Sequence, residues 1–305
     1  MSDYSAAIDL GTNTARLLIV DCLPSGITPV LVEREIVRLG GGFTDKSGLS
    51  AEACQRGLLC MLRFSNIIAS NKVTRVKACA TSAVRDAVNG LEFVEKIYSE
   101  TGIRLKIIDG ETEARLTLEG VKSALDSCHD SLVLLDVGGG STEFTVSFLG
   151  NPVFIKSMPI GVVRLTEGFN SVMDMVERVN SVLDDLELEL MSAGIHFDKD
   201  SAFVGTAGTA TTIAAIKLKM VDYNYRMVNN FSVSRVDIEE IFRDLLEMST
   251  TERLRVKGLE KGREDLIIAG LVIITSVMDR FKFDHLKVSD FGLLEGLALS
   301  CGDYE

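Results

Sequence analysis

The stretch LLDVGGGSTEFTVSF, Leu134–Phe148, places an aspartate at the end of an apolar run. Three consecutive glycines, two hydroxyl residues and a glutamate follow, and then a second apolar run. The pattern reads as strand, tight turn, strand. Glycine tolerates positive φ and lets backbone approach a ligand closely. A turn built from Gly138, Gly139, Gly140, Ser141 and Thr142 can aim several N–H donors at one phosphate, with the hydroxyls adding donors without bulk. Asp136, at the strand end, is placed to hold a divalent cation directly or through water, because magnesium prefers such oxygen ligands. Taken singly, the same residues also read as a tight hairpin with an aspartate capping its turn.

The plan occurs twice. AAIDLGTNTARLLIV, Ala6–Val20, has the same apolar strand, Asp-x-Gly, small polar residues and second strand. Aligning Asp9 with Asp136 puts Gly11 on Gly138, Thr14 on Ser141 and Arg16 on Glu143, at an offset of 127 residues. That spacing is the size of a domain. It predicts two similar domains facing each other across a cleft, with a boundary near Asp126 in LDSCHDS and domains of 1–125 and 126–305. Doubling favours ligand binding over a chance hairpin. Gly11, Thr12, Asn13 and Thr14 become a second candidate phosphate turn, and Asp9 a second candidate metal ligand.

Three further stretches carry chemistry. FVGTAGTATTIAAI, Phe203–Ile216, reads as a strand, a glycine turn and a helix start, so Gly205, Thr206, Gly208 and Thr209 are candidates for binding an anion at a helix N-terminus. It is not a Walker A loop, because no Gly-Lys-Ser/Thr follows. IIDGETEARLTLEG ends a strand at Asp109-Gly110 and opens a helix with Glu111, Thr112 and Glu113. Acidic residues in a first turn commonly compensate the helix dipole, yet a carboxylate there can also orient and deprotonate a water. CATSAVRDA ends a strand with small residues and sets Arg85 one step on, where its planar fork suits phosphate; alone it reads equally as a surface charge.

Apolar runs that read as strands alternate with helical patterns, among them Ala51 to Ser70, Met173 to Ser192 and Arg263 to Phe281, which argues for α/β architecture. Early strands joined by short turns imply sheets that are partly antiparallel. The chain has 305 residues, 46% of them hydrophobic, and a net charge of −12. That charge advertises no basic face for nucleic acid, and a phosphorylated ligand would have to be held by local donors or a cation. No apolar run reaches membrane-spanning length, and MSDYSAA does not read as a secretory signal. The six cysteines form no CxxC pair, so free thiols in a reducing cytoplasm are expected rather than zinc or disulfides.

In this order and spacing, AAIDLGTNTARLLI, ATSAVRDA, GETEARL, LDVGGGSTEF, MPIGVVRLTE, GTAGTATTIAA and VSDFGLLEGLAL resemble the exopolyphosphatase and guanosine-pentaphosphate phosphohydrolase (Ppx/GppA) family, nearly end to end. That family belongs to the acetate-kinase, sugar-kinase, heat-shock-chaperone and actin superfamily. The resemblance implies two ribonuclease-H-like domains flanking a cleft, Glu113 as the group that activates the attacking water, Asp136 and Glu143 serving magnesium (manganese being the alternative), and glycine turns holding phosphates. It implies removal of terminal phosphate from inorganic polyphosphate, with guanosine pentaphosphate as the alternative substrate, and by analogy a homodimer. Larger family members carry an extra C-terminal module that has no counterpart before Glu305, which bears on processivity. Two other classes share the duplicated hairpins: a sugar or acyl kinase, and a non-catalytic nucleotide switch.

Overall fold

The computed structural model describes residues 4–23, 26–43, 48–196 and 201–301. The chain divides into two compact units, Met1–Gly120 with Gly292–Glu305, and Val121–Phe291. The expected boundary near Asp126 thus lies a few residues late. The last segment, assigned by sequence to the second domain, returns instead to the first unit.

In the first unit β1 (Tyr4–Leu10), β2 (Thr14–Leu23), β3 (Gly26–Ile36), β4 (Arg75–Ala80) and β5 (Leu105–Ile107) form one sheet in the order β3-β2-β1-β4-β5. β1, β2 and β3 are antiparallel neighbours, whereas β4 and β5 run parallel to β1. Parallel neighbours require crossovers, supplied by helices Ala51–Ser70 and Gly90–Thr101. Helix Ala51–Ser70 starts where the Ser50 hydroxyl accepts from the Ala53 amide, 3.2 Å away. It buries Ala53, Gly57, Cys60, Met61, Phe64 and Ile68, a helical stripe, against one sheet face. The other face, with Ala7, Leu18, Val20 and Cys79, is covered by Leu293, Leu294, Leu297 and Ala298. Because both faces are covered, β1 reads as a continuous apolar run instead of an alternating one.

The second unit repeats the design. β6 (Ser131–Val137), β7 (Thr142–Phe148), β8 (Asn151–Met158), β9 (Ala202–Thr206), β10 (Ser232–Ser234) and β11 (His285–Val288) form a sheet in the order β10-β11-β9-β6-β7-β8. Apart from the antiparallel edge strand β10, pairing and direction match the first sheet. Even the irregularities coincide: the ladder shifts between Ile19 and Val20 in β2 and between Val146 and Ser147 in β7, the same 127-residue offset. Helix Val172–Ser192, capped by Ser171, buries Met175, Val179, Val182, Leu183, Leu186 and Leu190. Helix Ile267–Phe281 is apolar almost all round and mostly buried.

Several short elements escape the sequence patterns, among them β10 and helix Leu293–Ser300. β10 has only three residues, too few to alternate. Helix Leu293–Ser300 has no polar stripe, because Leu293, Leu294, Gly296, Leu297 and Ala298 are all buried. It crosses helix Gly110–Lys122 through glycines. A Cβ on Gly120 would stand 2.0 Å from the Gly292 carbonyl oxygen, and one on Gly296 would stand 1.8 Å from the Leu116 carbonyl oxygen. Among the described residues, no helix is long and apolar enough to cross a membrane.

Candidate active site

The glycine turn of the second unit joins β6 to β7. The Gly138 amide donates to the Ser141 carbonyl at 3.0 Å, which closes the turn. Its carbonyls are then taken up from behind. Gly138 O accepts from the Val162 amide, and Gly139 O accepts from the amides of Val163 and Arg164. Gly140 O accepts from Arg164 Nε at 2.9 Å. The amides of Gly139 and Gly140 donate to no backbone carbonyl among the described residues. A peptide unit's N–H points opposite to its C=O, so holding the carbonyls on one side turns donors to the other, which is how a backbone nest receives an anion. Gly161 makes this close approach possible: a Cβ there would stand 2.5 Å from both the carbonyl carbon and oxygen of Gly139. The Thr142 hydroxyl donates to Ile160 O, so its side chain braces the turn.

Asp136 and Glu143 are direct cross-strand partners, and both are buried. Directly opposed residues project from the same face of a sheet, so two carboxylates share one face. The Ser157 hydroxyl donates to Glu143 Oε1 at 2.7 Å. Like charges opposed in this way repel, and a hard cation would compensate them. The donor set therefore fits magnesium or manganese. Among the described residues no three or more His, Cys, Asp and Glu converge on an ion site. Two carboxylates with water and substrate oxygens completing the shell is the usual magnesium arrangement.

The turn of the first unit has the same closure, with the Gly11 amide donating to the Thr14 carbonyl at 3.0 Å. Thr12 O accepts from the Gly40 amide, and Asn13 O accepts from the amides of Val37 and Arg38. The Thr12 hydroxyl accepts from the Ala83 amide, tying the turn to the short helix Ser82–Arg85. Here the cross-strand pair is Asp9 with Arg16. Arg16 donates through Nε at 3.1 Å and through its terminal nitrogen at 2.8 Å to the same Asp9 oxygen. The other oxygen, Oδ1, is buried without a hydrogen-bond donor, as is Asn13 Oδ1. Asp9 is thus partly neutralised by Arg16.

Glu113 lies one turn into helix Gly110–Lys122 and is 8% exposed. Asp109 opens this helix by accepting from the Thr112 amide at 2.8 Å. That hydrogen bond holds the Asp109 carboxyl below its ordinary range. Arg85 donates to Glu113 Oε2 at 3.1 Å and lies 3.4 Å from Asp86. Glu111 points outward and pairs with Arg115 one helical turn on. Burial pushes the neighbouring Cys79 thiol well up, with the Asp9 and Glu113 charges adding to it and Arg16 opposing. Cys79 is an inert core thiol.

The third stretch forms the end of β9 and the start of helix Ala207–Lys217, with Ala207 at φ +61°. Several of its predicted side chains serve the fold. A Cβ on Gly205 would stand 2.8 Å from Leu286 Cδ1, the Thr206 hydroxyl donates to Phe291 O, and Thr209 packs against Gly270. What it offers a ligand is backbone. Gly208 leaves room for Arg263, whose Nη1 would stand 1.7 Å from a Cβ there. A guanidinium against the positive end of a helix strengthens any anion site there. Sequence reasoning missed Arg263, which lies 55 residues beyond Gly208 in the unremarkable KGRED.

A family model described as the Ppx/GppA phosphatase family matches residues 18–305. Exopolyphosphatase 2 of Mycobacterium tuberculosis is 32% identical over 315 residues, covering 97% of both chains. A bifunctional 3-dehydroquinate synthase/phosphatase of Fusobacterium nucleatum is 34% identical across 96% of this chain, which spans 46% of that longer protein. Among solved structures, an exopolyphosphatase from Cytophaga hutchinsonii aligns with a TM-score of 0.89 at 27% identity, covering 98% of this chain and 97% of that one. The Ppx/GppA family member of Aquifex aeolicus aligns with a TM-score of 0.80 at 30% identity, with the same coverage.

Proposed function

Because the chain belongs to the Ppx/GppA phosphatase family, we propose that it is a phosphoanhydride hydrolase that releases terminal phosphate from inorganic polyphosphate. The observation that carries this reading is the doubled turn. Gly11 to Thr14 and Gly138 to Ser141 close with the same 3.0 Å bond, and the segments behind both turns take up their carbonyls. Phosphoryl transfer asks a protein mainly for positioning and charge stabilisation, and backbone donors set on rigid strand ends supply both.

Glu113 is the general base. It is buried, and Arg85 fixes its orientation, so its carboxylate can hold a water and accept its proton. Arg85 is also the cation in that neighbourhood that a phosphate oxygen can share. The amides of the two turns bind phosphate oxygens and compensate for the absence of a favourable overall charge. A divalent cation held by Asp136 and Glu143 would neutralise charge on the phosphates; in the first unit, Asp9 is the corresponding candidate carboxylate.

The test is phosphate release from inorganic polyphosphate and from guanosine pentaphosphate side by side, with magnesium and with excess chelator. Faster turnover of polyphosphate is expected, and activity should vanish with the cation. Glu113→Gln should lower kcat by about 10²–10⁴, whereas Glu111→Gln stays within a few-fold. Preference for guanosine pentaphosphate would move the substrate assignment. Equal losses in the two variants would overturn the role of Glu113.

A further inference from the structure

Behind each phosphate turn runs the same tripeptide. Val37-Arg38-Leu39 follows β3, and Val163-Arg164-Leu165 follows β8. The likeness is structural as well. Val37, Leu39, Val163 and Leu165 are all buried, while both arginines are half-buried. In the first unit the Val37 and Arg38 amides donate to one turn carbonyl, Asn13 O, at 3.0 and 2.9 Å. In the second, the Val163 and Arg164 amides donate to one turn carbonyl, Gly139 O, at 2.9 and 3.2 Å. The duplication therefore extends past the hairpins to the segment that holds each turn, and it preserves an arginine at the point of contact.

We infer that Arg38 and Arg164 are a matched pair of positioning residues, one per unit, that set the two turns for phosphate and add positive charge behind them. Arg164 acts through the turn itself, its Nε holding Gly140 O at 2.9 Å so that the adjoining amides stay turned outward. Arg38 is held in a different way. Its backbone sits at φ +45°, in the left-handed region that suits glycine. Arg56 clamps it there by donating to Val37 O at 2.8 Å and to Arg38 O at 2.9 Å. Three glycines follow soon after, Gly40 to Gly42, so a glycine at position 38 would have been the unstrained choice. A strained arginine kept beside a ligand turn is the pattern expected where the side chain is needed.

This inference rests on the phosphate reading of the turns. Its test is equilibrium binding of inorganic tripolyphosphate with magnesium, by calorimetry, to the wild type and to Arg38→Gly, Arg38→Lys, Arg164→Gln and Arg164→Lys. Loss of either arginine should weaken binding at least tenfold, with the lysine variants recovering part of the loss and each loss shrinking at high salt. Arg38→Gly should melt no lower than the wild type, because glycine relieves the left-handed backbone, so weakened binding there cannot come from unfolding. Unchanged binding in both Arg38→Gly and Arg164→Gln would overturn the inference and leave the phosphate reading standing. No binding by the wild type would overturn both.

Discussion

Replace Asp9 by Asn and, separately, Glu143 by Gln. The two positions belong to matching cross-strand pairs, Asp9 with Arg16 and Asp136 with Glu143. Charge logic predicts opposite signs for the two changes. The first pair is opposed in charge, with side-chain exposures of 9% for Asp9 and 24% for Arg16. Removing one partner of a fully buried pair costs about 3–5 kcal/mol, and the partial exposure of Arg16 lowers this to about 2–3 kcal/mol. The second pair is alike in charge. With Cβ atoms about 5 Å apart and an effective dielectric of about 20, two carboxylates repel by at most about 3 kcal/mol. In Glu143→Gln the side-chain carbonyl can still accept from Ser157, so relief of about 1–2 kcal/mol is expected in chelator. At about 2–4 °C per kcal/mol, Asp9→Asn should melt about 4–12 °C lower and Glu143→Gln about 2–8 °C higher than the wild type. Magnesium should then reverse the second result. A ligand at a hundred times its Kd adds about 2.7 kcal/mol to the protein that binds it, which lifts the wild type above Glu143→Gln. Scanning calorimetry of the wild type and both variants, with chelator and with saturating magnesium, reads each of these shifts. A lower metal-free Tm for Glu143→Gln would refute the like-charge account. An equal magnesium shift in Glu143→Gln and the wild type would remove Glu143 from the cation site.

Three further outcomes follow from single contacts. Asp109→Ala removes the side chain that accepts from the Thr112 amide and should cost about 0.5–1 kcal/mol at pH 7, the low end for an exposed cap. The Asp109 carboxyl is depressed in the fold, so this contribution is present above its unfolded value and is lost as pH falls through the folded one; urea unfolding at pH 7 and about pH 2.5 should show the gap closing. Gly161→Ala sets a Cβ against the backbone of Gly139 and Gly140, which cannot yield as a side chain would; about 1–3 kcal/mol of stability should be lost, and tripolyphosphate binding should weaken. Gly296→Ala drives a Cβ into the Leu116 carbonyl, so helices Gly110–Lys122 and Leu293–Ser300 must separate, with a comparable loss by calorimetry and no direct effect on the turns.

Much of this protein is local and therefore legible in one dimension. A glycine turn between two apolar strands closes through a bond between residues three apart, so Gly11 to Thr14 and Gly138 to Ser141 could be read and aligned from residue order. The same alignment set Arg16 against Glu143, and strand register turned it into two opposed pairs with opposite electrostatics. Glu113 and Glu111, two residues apart on one helix, were separable only by resemblance; the fold separates them by burial and by partner.

What the amino-acid order determined alone was the α/β class, the duplicated strand-turn-strand units and the residue types at their turns, because these depend on backbone preferences and periodicity over a few residues. Tertiary structure decided whatever needed partners distant in sequence. It returned Gly292–Glu305 to the first unit, where a mostly apolar helix buries Leu293, Leu294, Leu297 and Ala298. It laid Arg263 over Gly208, committed the hydroxyls of Thr142 and Thr206 to carbonyls of the fold, and set the two Val-Arg-Leu segments behind the two turns. A hydrogen bond is indifferent to how far apart its donor and acceptor lie along the chain, so only packing could select these partners.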